Sequence, residues 1–234
     1  MKNILLFLLF LIPFSFNSYA TIEIDITEGN REPLPIAITN FFHDGNEKIT
    51  NTDLPSKIRG VIQNDLESTG LFYSIDEKAF IQENKSLHLK PRFADWRLIN
   101  SQGLVTGDLK IEDDRLKVEF RLWDTLAEKE IEGLVLITTP DNWRRISHMI
   151  ADKIYERLTG EEGYFDTRIV YVAEEGPKNN RVKRLAIMDQ DGANHKFLTS
   201  GKELVLTPRF NPVRQEITYL SYFKNLPRVY LLNI

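Results

Sequence analysis

Asp189, Asp191, Gly192, Asn194 and His195 fall within the single run DQDGANH, and donors at that density are what a bound cation would need. An EF-hand loop takes oxygen ligands at its first, third and fifth positions, glycine at its sixth and a bidentate glutamate at its twelfth. Counted from Asp189, glycine falls fourth, Asn194 sixth and Ser200 twelfth, so the spacing is not that of a calcium loop. The flanks LAIM and HKFLT are apolar or β-prone, and Asp and Gly tolerate the backbone angles of a tight bend. The run therefore reads as the turn of a β-hairpin.

The remaining chemistry-bearing residues do not assemble into a reactive centre. The four histidines, His43, His88, His148 and His195, form no H-x-x-x-H or H-E-x-x-H spacing and read as surface or loop residues. Neither a G-x-S-x-G elbow nor a G-x-x-x-x-G-K phosphate loop occurs. Asp113-Asp114, Glu161-Glu162 and Glu174-Glu175 are adjacent acids in expected loops, whereas a glycosidase pair must face each other across a cleft. There is no cysteine, which excludes disulfides, thiol nucleophiles and zinc-thiolate sites. The expectation is no enzyme, no cofactor and no metal.

Elements able to position any site begin after an export signal. Lys2 precedes the apolar run Ile4 to Ile12, followed by Pro13 and by Ser18-Tyr19-Ala20. The run is shorter than the roughly 20 residues that span a bilayer. Residues 1–20 thus read as a signal peptide cleaved after Ala20, which implies an exported protein of a bacterial periplasm with no membrane insertion after cleavage. Subtracting Lys2 from the 30 basic residues leaves 29 against 34 acidic, a net charge of −5. That surface gives no general field for nucleic acid or anionic lipid.

Thr21-Ile22-Glu23-Ile24-Asp25-Ile26-Thr27 alternates isoleucine with polar residues, so the isoleucines line one face of an extended strand. That strand is either an edge of the protein's own sheet or a segment that adds to a partner's sheet. LPIAITNFF, from Leu34, reads as a buried strand, and Asp53, Pro55, Ile58, Ile62, Leu66 and Gly70 mark out a helix with its start and stop. LFYSID resumes as strand, completing a βαβ-like opening. Short helices are expected near Phe80 and over Phe93 to Leu98, with Trp96 inward. A three-stranded antiparallel meander follows, from Leu104, Arg115 and Lys129, with Asp113-Asp114 at its first hairpin. A helix capped by Asp141, with Ile146, Ile150, Ile154 and Leu158 in a stripe, ends at Gly160. Residues 21–160 are expected to form an α/β domain with a mixed sheet covered by helices, and 161–166 a linker.

From Thr167 to Ile234 the texture is strands alone, with turns every 8–12 residues. Arg168 to Asp189 resembles Glu216 to Ile234 in its apolar-Tyr-apolar strand, polar loop and second apolar strand. Such repeats read as propeller blades, and the turn at Asp189 then joins a third strand to an outermost fourth.

TRIVYV after a helix ending KIYERLTGEEGYF, and then RLAIMDQDGANHKFLTSGKELVLTPRFNP, resemble the TolB family of periplasmic Tol-Pal components, as does the IEIDIT start. The resemblance covers residues 1–234. It departs at Phe210, where the family usually has Trp, and at Asn211 to Arg214, which replaces an S-P-D-G turn. It implies an incomplete all-β propeller over 167–234, about one and a half of six blades, in a chain truncated at its C-terminus. It further implies a monomeric scaffold that binds the outer-membrane lipoprotein Pal through the propeller and the C-terminal domain of inner-membrane TolA through Thr21 to Thr27. That scaffold would support outer-membrane integrity and constriction at cell division. A propeller-bearing periplasmic hydrolase is the alternative, distinguished by activity on ester and peptide substrates.

Overall fold

The computed structural model describes residues 22–24, 32–43, 53–83 and 90–234. Residues 1–20, read as a signal peptide, lie outside the described residues, as do Thr21, Asp25, Ile26, Thr27 and His88.

Strand β1 (Leu34–Ile38) is apolar nearly throughout because it is flanked on both sides, by β2 (Phe72–Ser74) and β3 (Gly103–Glu112), each running parallel to it. Helix α1 (Leu54–Ser68) makes the crossover between β1 and β2, the βαβ unit that the spacing of Ile58, Ile62 and Leu66 predicts. It starts at Leu54 with Pro55 in its first turn, as expected, although the Asp53 side chain makes no capping hydrogen bond. Gly70, with φ +72°, closes it.

Helix α2 (Phe93–Leu98) turns Trp96 inward, where its indole N–H donates to Gln82 Oε1 at 3.2 Å and its ring meets Phe80 edge-on. Strands β3, β4 (Arg115–Asp124) and β5 (Lys129–Thr138) form the antiparallel meander, giving the sheet order β2-β1-β3-β4-β5. Asp113 and Asp114 both have positive φ, the geometry of the tightest hairpin turns. Gly107 lets Phe41 lie flat against β3, since a Cβ there would stand 2.2 Å from the Phe41 ring.

Helix α3 (Trp143–Thr159) covers the same sheet face as α1, burying Ile146, Ile150, Ile154 and Leu158. Asp141 does not cap it: a short 3₁₀ turn at Pro140–Asn142 precedes the helix, which begins one residue later than the sequence suggests, with Asn142 in the cap position. Gly160, with φ +76°, ends it.

Beyond α3 the chain is strand and turn. β6 (Arg168–Glu175), β7 (Val182–Asp189) and the two-residue β8 (Lys196–Phe197) form one antiparallel sheet, and β9 (Val205–Phe210), β10 (Glu216–Ser221) and β11 (Arg228–Asn233) a second. The two halves of the sequence repeat are the hairpins β6-β7 and β10-β11. The sheets stack through Leu185, Ile187, Val205 and Ile217, with Val170, Val172, Tyr219 and Leu232 around them. This is the packing of adjacent propeller blades. Val229 and Leu231, on the outer face of the second sheet, remain exposed. Where the family's S-P-D-G turn is replaced, Asn211 Oδ1 accepts from the Val213 and Arg214 N–H groups at 2.9 and 3.2 Å, so an asparagine supplies the turn's acceptor.

The structure is thus a mixed α/β unit with a five-stranded sheet and covering helices, followed by the sheets of a partial propeller.

Candidate functional site

Arg144, His148 and Asp152 recur every four residues on α3 and so share one side of the helix, about 200° around from the isoleucine stripe. A polar row opposite an apolar stripe is ordinarily solvated. Here it is covered, because α3 lies between the α/β core and the first propeller sheet. Asp152 accepts the Phe165 and Asp166 N–H groups at 2.6 and 3.1 Å, fixing the segment that leads into β6. The Arg144 guanidinium bonds to Asp191 and lies 3.7 Å from Asp189, holding the β7–β8 turn.

His148 occupies the middle of the row and is 3 % exposed, so its reading as a surface or loop histidine is corrected. Nδ1 lies 2.6 Å from Asp65 Oδ2 of α1, itself 2 % exposed. Nε2 faces the turn, 4.0 Å from Asp191 Oδ2, and has no hydrogen-bond partner among the described residues. Burial pushes the Asp65 carboxyl up and prevails over the lowering effect of His148. Burial pulls His148 down, but the hydrogen bond to Asp65 and the charges of Asp65 and Asp191 prevail and raise it. Both directions keep a proton on the short contact, and we assign it to the imidazole, which faces a second carboxylate. Burial pushes Asp191 up as well, and there the Ala193 N–H and Arg144 prevail and lower it.

The turn itself is the expected hairpin bend. Gly192 N–H donates to the Asp189 carbonyl at 3.0 Å, Asp189 N–H to the Ala193 carbonyl at 2.9 Å, and Gly192 and Asn194 take positive φ. Asn194 Nδ2 donates to Asp189 Oδ2 at 2.5 Å. His195 points elsewhere, packing edge-on against Phe197. A cleft of about 540 Å³ opens beside the turn, lined in part by Trp143, Arg144, Arg145, His148, Arg168 and Asp189. Sequence spacing kept His148 apart from Asp189 and Asp191; the four-residue recurrence with Arg144 and Asp152 was the signal that could have joined them.

The run expected to bind a partner is described at Ile22, Glu23 and Ile24, which form no strand. The Ile22 side chain is buried with the α/β core, and its N–H donates to Asp124 Oδ2 at 2.9 Å. Ile24 N–H donates to the Leu158 carbonyl at the end of α3, at 2.5 Å, while Glu23 is exposed. Among the described residues, two backbone bonds and the side chains of Ile22 and Ile24 hold this segment against α3 and the end of β4.

Comparison with known proteins places these parts. Residues 22–131 match the TolB amino-terminal domain, and residues 155–234 match the TolB beta propeller domain. The chain is 57 % identical over 98 % of its length to the Tol-Pal system protein TolB of Pelagibacter ubique. It is 56 % identical over 92 % of its length to that of Paramagnetospirillum magneticum. These alignments cover 52 % and 48 % of the relatives, so the chain spans about half the length of the curated relatives it matches. The crystal structure of TolB from Acinetobacter baumannii superposes with a TM-score of 0.74 at 25 % identity, covering 91 % of this chain and 50 % of that one.

Proposed function

The chain belongs to the TolB family of Tol-Pal system proteins, and on that premise we propose that it acts as a non-enzymatic periplasmic scaffold between TolA at the inner membrane and the lipoprotein Pal at the outer membrane. In this role it supports outer-membrane integrity and constriction during division. Residues 1–20 serve as the cleaved export signal, 21–160 as the α/β domain, 161–166 as the linker and 167–234 as the partial propeller. The propeller contributes surface for Pal, and Thr21 to Thr27 engage the TolA C-terminal domain.

The observation that carries this reading is the attachment of Ile22 and Ile24 through backbone N–H groups and apolar side chains. Among the described residues, the backbone hydrogen bonds of Ile22 and Ile24 and the packing of their side chains on the core are contacts of the kind that a partner's sheet edge offers in exchange. The segment then has two alternative seats, its own core and the partner.

Deleting Thr21 to Thr27 is expected to abolish capture of the TolA C-terminal domain in a calorimetric titration while the thermal transition remains cooperative. Undiminished capture by the deleted chain would refute the assignment of this segment.

A further inference from the structure

His148 has two faces with different chemistry. Nδ1 is committed to Asp65 at 2.6 Å, which leaves Nε2 directed at the β7–β8 turn, buried and without a hydrogen-bond partner among the described residues. Across from it stand the carboxylates of Asp189 and Asp191, and one ligand atom from each of the three residues lies within 4.8 Å of the others. We propose that His148, Asp189 and Asp191 form a site for one divalent transition-metal ion of the zinc class, tying α3 to the first propeller sheet, with Asp65 as the positioning residue that orients the imidazole.

The donor set selects the ion. One imidazole nitrogen and two carboxylate oxygens suit zinc, whereas calcium takes six to eight oxygens and magnesium an octahedron of them. A carboxylate on the far nitrogen of a ligating histidine fixes the tautomer and makes the near nitrogen a better donor, which is the place Asp65 occupies. Tetrahedral zinc at about 2.0–2.2 Å from each ligand needs ligand atoms roughly 3.3–3.6 Å apart. The 4.0 Å between Nε2 and Asp191 Oδ2 is wider than that, so ion binding requires the Asp191 side chain to turn from Arg144 toward the imidazole. His148 and Asp189 line the cleft, which leaves the fourth position open to a water.

Arg144 is the competitor. Its guanidinium supplies the positive charge that Asp191 and Asp189 meet in the metal-free site. It already lies over the Trp143 ring, 5.5 Å from the centroid, and its Nε has no hydrogen-bond partner among the described residues. Metal entry therefore requires Arg144 to release the two carboxylates, and removing Arg144 should favour the ion.

The test uses the chain from Thr21 to Ile234 without a histidine tag, stripped with a chelator and titrated with zinc by calorimetry, and separately with cobalt to read tetrahedral coordination from its visible bands. One zinc per chain is expected. Arg144→Gln should tighten binding by about tenfold or more, and Asp65→Asn should weaken it roughly tenfold, as loss of an outer-shell partner does. His148→Gln and Asp191→Asn should each abolish the cobalt bands; Asp191 sits on a turn, so its variant reports even if His148→Gln fails to fold. Zinc uptake that neither Asp191→Asn nor His148→Gln alters would overturn the site, as would failure of both the parent chain and Arg144→Gln to take up any ion.

Discussion

His148 Nδ1 and Asp65 Oδ2 stand 2.6 Å apart across 83 residues of sequence, and neither side chain has meaningful access to water. Their contact joins α3 to α1 through an ionisable pair buried between the helices. Replacing Asp65 by Ala leaves the imidazole buried against nothing that accepts its proton, and breaking a buried pair this way costs about 3–5 kcal/mol. Urea unfolding should show that loss, and the Asp65→Ala, His148→Ala double variant should lose clearly less than the two single losses combined.

Gly107 and Phe41 are a steric pair. Alanine at 107 would bring its Cβ to 2.2 Å from the Phe41 ring and 2.7 Å from the Glu119 carbonyl oxygen. Gly107→Ala should destabilise the chain by about 1–3 kcal/mol, the usual cost of overpacking a filled core. Phe41→Leu in the same chain should recover part of the loss in the same denaturation assay.

Asp152 gives a pH dependence with a definite sign. Burial raises its carboxyl above the ordinary 3.8 and outweighs the two N–H groups it accepts. A carboxyl whose folded value lies above its unfolded one binds protons more readily when folded, so its contribution is full below 3.8 and declines as pH rises through the raised value. The stability of the parent chain relative to Asp152→Asn should therefore fall over that interval and level off above it. A difference that stays flat or grows with pH would contradict the assignment.

The outer face of the second propeller sheet carries Val229 and Leu231, 74 % and 60 % exposed. Exposed apolar strands beside an unpaired edge invite association. Val229→Lys with Leu231→Glu should lower binding of a hydrophobic dye and reduce light scattering at high concentration, leaving the helical circular dichroism signal unchanged.

Much of this architecture was legible in the sequence because it rests on local signals. The periodicity of Ile58, Ile62 and Leu66, the alternation from Leu116 to Leu122, and the stops at Gly70 and Gly160 each report one element's exposure to its neighbours. Asp113-Asp114 and Asp189 to Gly192 announced their turns through residues that tolerate positive φ. What failed was long-range. Asp141 reads as a cap because its type fits, but the 3₁₀ turn at Pro140–Asn142 moves the helix start past it. Ile22 and Ile24 alternate like a strand, yet their partners are the core and the end of α3, which no local pattern encodes. His148 was misplaced for the same reason: a polar helix row looks solvated until a second unit is packed on it.

The row formed by Arg144, His148 and Asp152 climbs about 12 Å of helix at 1.5 Å per residue, and each member grips a different piece of chain: the β7–β8 turn, α1 and the approach to β6. Rolling α3 about its long axis by a single register step, 100°, would sever all three grips together. The rotational setting of α3 is therefore fixed at three separate places along its length.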